Sequence, residues 1–242
     1  MFKKIKFFAL FFIFPTYSQS SIEINKDKFI FIESINQEIV EINNKTNNDY
    51  FIQSWITHYD KENSNEIPFM ITPPLFKIEK DETFSLKIFK KDETFSLKIF
   101  KKDEIKERDR ETLYRINIKR IPILLNSDNN KNMLHVSINS VYNLIYRPIS
   151  IEKDAKDAYK KIEFLKNKNN EFIINNPTPY FIALSSVYFN RMLIVNESKT
   201  IPPFKKYNTK KIISESGNVK WKIFNQHGVA IEVADKEVIN DY

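Results

Sequence analysis

The chain has 242 residues, three histidines, two glycines, no cysteine and a formal charge of +7. The length suits one large or two modest domains, each with its own core. Without cysteine there are no disulfides or thiolate metal sites, and two glycines cannot build a phosphate-cradling loop. Lysines and acids interleave along the whole chain, so the basic balance reads as solvated surface and not as a nucleic-acid footprint.

Residues 1–20, MFKKIKFFALFFIFPTYSQS, are predicted to be a cleavable secretory signal peptide. Lys3, Lys4 and Lys6 precede an apolar run from Phe7 to Phe14, Pro15 breaks it, and Ser18 and Ser20 offer small residues at a cleavage site. The apolar run is too short to cross a bilayer comfortably, and no later stretch is apolar enough for a membrane helix.

From Ser21 onward the periodicity is two. "IEINKDKFIFIES", "YFIQSWITHY", "TLYRINIKRIP", "MLHVSINSVYNLIY", "EFIINN", "YFIALSSVYF" and "VKWKIFN" are short, β-branched and aromatic, and Asn, Asp, Lys and Pro clusters bound them. Strands at this spacing predict β-sandwiches. Asp154–Leu165, "DAKDAYKKIEFL", is the one stretch that reads as a helical turn or two. "YRPISIEKDAKDA" reads as the hinge between two sandwiches, because Pro148 ends a strand and a charged run follows. The expected organisation is a signal peptide over 1–20, one domain over 21–148 and a second over 149–242.

Within the first domain the eleven residues Lys80–Lys90, KDETFSLKIFK, return letter for letter as Lys91–Lys101. Each copy reads as a strand: Phe84, Leu86 and Ile88 alternate with polar residues, as do Phe95, Leu97 and Ile99. Two copies do not make a solenoid, which needs at least three stacked units. The copies either pair as a hairpin, or one joins the sheet while the other loops out.

Catalytic chemistry is not legible. His58, His135 and His227 stand singly, in no metal-ligand or triad spacing. Most carboxylates alternate with lysine, as on a wet surface; Glu111 in "RDRET" is the exception. The chain reads as a non-enzyme with no cofactor and no metal.

"PFMITPPLFKIE", "DRETLYRINIKRIP", "LIYRP" and "NPTPYFIAL" occur in this order, and together they resemble the periplasmic chaperones of the chaperone–usher pathway, the PapD-like family. Order and spacing fit from about Ser21 to Gly228. The resemblance implies an all-β fold of two immunoglobulin-like sandwich domains in an L shape, with a cleft between them. It implies a periplasmic location, pilus or fimbrial subunits and an outer-membrane usher as partners, and no nucleic acid or membrane insertion. It also implies that a single copy of the repeated strand belongs to the domain. A secreted structural or adhesive sandwich that has lost subunit handover is the alternative.

The resemblance further implies roles for particular residues. On pattern alone "LHVSINS" reads as an ordinary core strand; its position before "YNLIYRP" makes Leu134, Val136 and Ile138 the apolar face of a strand donated to subunits. The connection Pro122–Met133 is short and lacks cysteine, like that of the short-loop subclass, which usually assembles rod-like pili. An anchor for a subunit's C-terminal carboxylate falls on Lys28 and Asn143, the second of which is neutral here. Lys26, two residues before Lys28, is a candidate to compensate. An ionic link between the domains falls on Glu111, Arg147 and Gln226; the neutral Gln226 predicts a looser hinge.

Overall fold

A computed structural model describes residues 21–60, 67–90, 105, 107–123, 136–214, 216–225 and 228–240. The predicted signal peptide, the second copy of the repeat, Leu134, His135, Gln226 and His227 lie outside the described residues.

The first sandwich is built from β1 (Ile22–Ile24), β2 (Lys28–Ile32), β3 (Gln37–Asn44), β4 (Tyr50–His58), β5 (Phe69–Thr72), β6 (Leu75–Ile78), β7 (Thr83–Lys90), β8 (Thr112–Pro122) and β9 (Ile138–Arg147). One sheet runs β1-β3-β7-β5 and the other β2-β9-β8-β4-β6. The period-two pattern sends alternate residues inward. Phe29 and Phe31, Val40 and Ile42, Ile116 and Ile118, and Leu144 and Tyr146 all meet in one buried cluster. At its centre Phe69 packs edge-on against Phe31 (ring centroids 5.1 Å apart) and Tyr114 (4.9 Å).

The first copy of the repeat supplies β7. It lies between β3 and β5, antiparallel to both, with Leu86 and Ile88 fully buried and Ser85 and Lys87 exposed. Phe84 stacks on Phe76 at 4.0 Å. The turn into β7 places Asp81 at φ 59°, a left-handed conformation that aspartate tolerates better than most residues.

The second sandwich comprises β10 (Glu163–Lys166), β11 (Glu171–Asn176), β12 (Ile182–Phe189), β13 (Met192–Val195), β14 (Lys199–Ile201), β15 (Lys205–Ile212), β16 (Asn218–Phe224), β17 (Ala230–Glu237) and β18 (Ile239–Asn240). Its sheets run β15-β11-β10-β18 and β13-β12-β16-β17, with β14 pairing β12. Trp221 and Phe164, 4.8 Å apart, form part of its core.

Between the sandwiches, Ile149–Lys161 forms a 3-10 helix. Ile151, Ala155, Ala158 and Tyr159 pack on the second core, while the Ile149 amide donates to Glu33 and the Ser150 hydroxyl to the Arg108 carbonyl of domain one, so the helix touches both sandwiches. The helical reading of 154–165 runs too far: Glu163–Lys166 pairs with β11, because Phe164 and Leu165 bury as strand residues.

The two sandwiches share one corner design. Asn44 Oδ1 accepts from the Thr46 amide (3.1 Å) and hydroxyl (2.7 Å), and its Nδ2 donates to the carbonyls of Asn48 and Glu79. Asn176 Oδ1 likewise accepts from the Thr178 amide (3.1 Å) and hydroxyl (2.6 Å), and its Nδ2 donates to the carbonyls of Tyr180, Ile201 and Pro202. A buried side-chain amide needs this degree of satisfaction. The second corner also shapes the turn Thr178–Phe181, which reaches back to domain one.

Candidate functional site

The site is built on β9, whose two halves have different neighbours. β8 pairs with it from Ile138 to Tyr146. On the other side β2 joins in parallel, and only from Asn143 to Arg147. Among the described residues no strand occupies the lane of β2 beside Ile138–Tyr142, so that stretch is an open sheet edge with unpaired backbone groups.

Parity puts Ile138 on the same strand face as the core residues Leu144 and Tyr146. Yet Ile138 is 49% exposed and Val136 is 56% exposed, whereas Leu144 and Tyr146 are fully buried. An apolar inward face that runs past the end of its own core is an incomplete sandwich edge. Val136 and Ile138 are apolar side chains left exposed at that edge.

The open lane ends at Lys28, the first residue of β2 and the register partner of Asn143. Both project from the outer face, since Phe29 and Leu144 point into the core. Burial lowers the pKa of the Lys28 ammonium below the ordinary lysine value; the Glu111 carboxylate opposes this and Arg147 adds to it. A charged group desolvated in this way is primed to accept an anion.

Lys26 is engaged elsewhere. It lies before β2, and its ammonium is held by Glu38 at 2.7 Å; the chain bends between residues 26 and 28, which removes the shared strand face that their spacing suggested.

Glu111 and Arg147 do come together. Arg147 Nε donates to Glu111 Oε1 at 2.8 Å, and an outer guanidinium nitrogen lies 2.6 Å from the same oxygen. The other oxygen, Oε2, accepts from the backbone amide of Phe181 at 2.7 Å, and the Glu111 amide donates to the Pro179 carbonyl at 2.8 Å. Burial pushes the Glu111 carboxyl above its ordinary pKa, opposed by Arg147, the Phe181 amide and Lys28. Arg147 also faces the Tyr180 ring (5.5 Å), and Arg110 lies over Phe204 (4.9 Å).

The link into domain two described here is thus made by backbone of the "NPTPYF" turn. The sequence expectation of Gln226 falls outside the described residues; Pro179 and Phe181 were not legible in the sequence, because backbone groups carry no residue signature. The shared pattern of the two Asn-x-Thr corners was the available signal: "NNKT" and "NNPT" both stand at strand ends.

The outer face beside Lys28 and Asn143 carries further polar groups. Asn117 donates to Thr57 Oγ1 (3.2 Å) and accepts from Asn139 Nδ2 (3.3 Å). Arg115 lies over the ring of Tyr59, 4.7 Å from its centroid.

A family model described as the pili and flagellar-assembly chaperone PapD N-terminal domain matches residues 21–152, and that of the pili assembly chaperone PapD C-terminal domain matches residues 157–234. The probable fimbrial chaperone LpfB of Escherichia coli O157:H7 is 28% identical, covering 97% of each chain. The chaperone protein FimC of Escherichia coli K12 is 29% identical over 79% of this chain and 73% of its own. Among solved structures, the Salmonella enterica SafA pilin in complex with the SafB chaperone matches with a TM-score of 0.68 and 23% identity, covering 91% of this chain and 96% of the matched chain. At that identity the structural match speaks for the fold.

Proposed function

This chain belongs to the PapD family of non-enzymatic pilus-assembly chaperones of the chaperone–usher pathway, and from that premise we propose that it binds pilus subunits by lending them the strand Leu134–Ile138 and passes them to an outer-membrane usher. It does so in the periplasm, after residues 1–20 direct its export and are removed.

The observation that carries this reading is the open edge of β9, which stops at Lys28. A subunit strand laid in the lane of β2 pairs its backbone with Ile138–Tyr142, a β-augmentation. Val136 and Ile138 then enter the subunit's own unfilled groove. β2 runs parallel to β9, so a strand entering its lane in the same sense meets Lys28 with its C-terminus. Lys28 receives the terminal carboxylate as a point charge, and Asn143 donates a neutral hydrogen bond. Glu111 and Arg147 sit at the closed end of that lane and hold the domains around it.

The test is a periplasmic pull-down of the tagged mature chain, with bound proteins identified by mass spectrometry, beside Ile138→Asp. Wild type is expected to retain incomplete immunoglobulin-like subunits, and the variant to lose them while keeping its circular dichroism and Tm. A well-folded wild-type chain that retains no subunit sinks the reading and leaves a secreted structural sandwich.

A further inference from the structure

An anchor with one ammonium and one amide is weak for a carboxylate. Lys26 is engaged with Glu38, so any second cation has to come from elsewhere on the same face. The sheet register supplies one. Asn143 pairs with Lys28 on one side and with Arg115 of β8 on the other, and Arg115 pairs in turn with Thr57 of β4. The residues flanking this row, Phe29, Leu144, Tyr114 and Ile56, are all in the core. Lys28, Asn143 and Arg115 therefore project side by side from the outer face.

We propose that Arg115 is the second cation of the anchor, reaching over Asn143 so that the C-terminal carboxylate of a strand in the β2 lane is held between Lys28 and Arg115. This rests on the chaperone reading above and names a residue for it that the PapD-like pattern did not point to.

Geometry permits the reach. Neighbouring strands are about 4.8 Å apart, which puts the backbones of Lys28 and Arg115 about 10 Å from each other, within the combined span of two long side chains. Asn143 is short enough to be straddled. A lysine at 143 would instead set two like charges on directly opposed cross-strand neighbours, an unfavourable pair. The neutral amide and the arginine are thus mutually consistent: the charge has moved one strand across the sheet.

Arg115 rests on Tyr59, and a cation–π contact with an exposed ring is weaker than a charge-assisted pair with a carboxylate. A pocket of about 570 Å³, lined by Arg115 itself with Thr57, Tyr59, Asp60, Asn117 and Val141 among others, gives the guanidinium space on the side of β9, with the Asp60 carboxylate as its competitor for a bound anion. Arg also offers a two-pronged fork that lysine lacks.

The test compares a peptide copying the last strand of the subunit captured in the pull-down, as free acid and as C-terminal amide. Wild type is expected to prefer the acid by about tenfold or more, the scale of one charge-assisted contact. Arg115→Gln should bring the preference down toward unity, Arg115→Lys should keep part of it, and Asn143→Lys in the Arg115→Gln background should restore it. An unchanged acid preference in a folded Arg115→Gln overturns the proposal and leaves the chaperone reading standing. A wild-type chain that captures no subunit overturns both. A loss of acid and amide binding alike would assign Arg115 to the structure of the face and also overturn its role as anchor.

Discussion

Two halves of one strand behave as different objects. Asn143–Arg147 of β9 is paired on both sides and closes a core, whereas Ile138–Tyr142 is paired on one side. Both halves alternate apolar residues, and Ile138 and Leu144 share a face. What separates them is the point at which β2 starts. The lesson is that an open edge need not differ in sequence from a core strand; what differs is whether a neighbour is present.

The largest expected effect tests this contrast directly. Leu144→Ala is expected to cost about 2–5 kcal/mol, as for other buried large-to-small changes. Ile138→Ala, on the same face, is expected to stay within about 0.5 kcal/mol, as at exposed positions. Urea unfolding of the two variants measures the difference, and equal losses would break the comparison by making Ile138 core.

Next in size is the closed end of the lane. Glu111 is 3% exposed and joins Arg147 to the Phe181 amide. Removing it in Glu111→Ala leaves a largely buried guanidinium and an amide unpaired, for about 3 kcal/mol. Arg147→Ala in the same background should add little, because the pair acts as a unit; a double-mutant cycle reports that coupling.

Lys28 marks the boundary between the halves and gives a pH signature. Its folded pKa lies below 10.5 because burial disfavours the ammonium. Carboxylate binding favours the ammonium, so subunit affinity is expected to fall as pH rises through that depressed value, earlier than for an exposed lysine. In the free chain the sign is opposite: the buried charge costs stability at neutral pH, and the cost is relieved as pH rises through the folded pKa. Lys28→Arg should flatten both dependences up to pH 10.

The smallest effect belongs to the opposite sheet and serves as a control. Deleting residues 91–101 leaves β7 in place, and deleting 80–90 produces the identical chain. Shortening one connection is expected to change stability by no more than about 1 kcal/mol, with subunit binding intact. A large loss would mean that the second copy contributes to the fold.

The corners and the link show where reading by residue type stopped. Asn44 and Asn176 sit inside clusters of turn formers, and only their full set of hydrogen bonds marks them as hubs. Glu111 and Arg147 were legible as a charged pair, yet among the described residues they reach domain two through the Phe181 amide and the Pro179 carbonyl, backbone groups that carry no residue signature. Nothing in the sequence separates Arg115 from the other charges of the chain.

By itself the sequence determined the all-β class, the paired sandwiches and the family, since period-two alternation and ordered motifs are local properties that need no neighbour. Tertiary structure alone decided that the first copy of KDETFSLKIFK is β7, that Lys26 is spent on Glu38, and that Lys28, Asn143 and Arg115 stand in one row. Identical segments have identical propensities, and register across three strands is a relation between residues 28, 115 and 143 that no local pattern encodes.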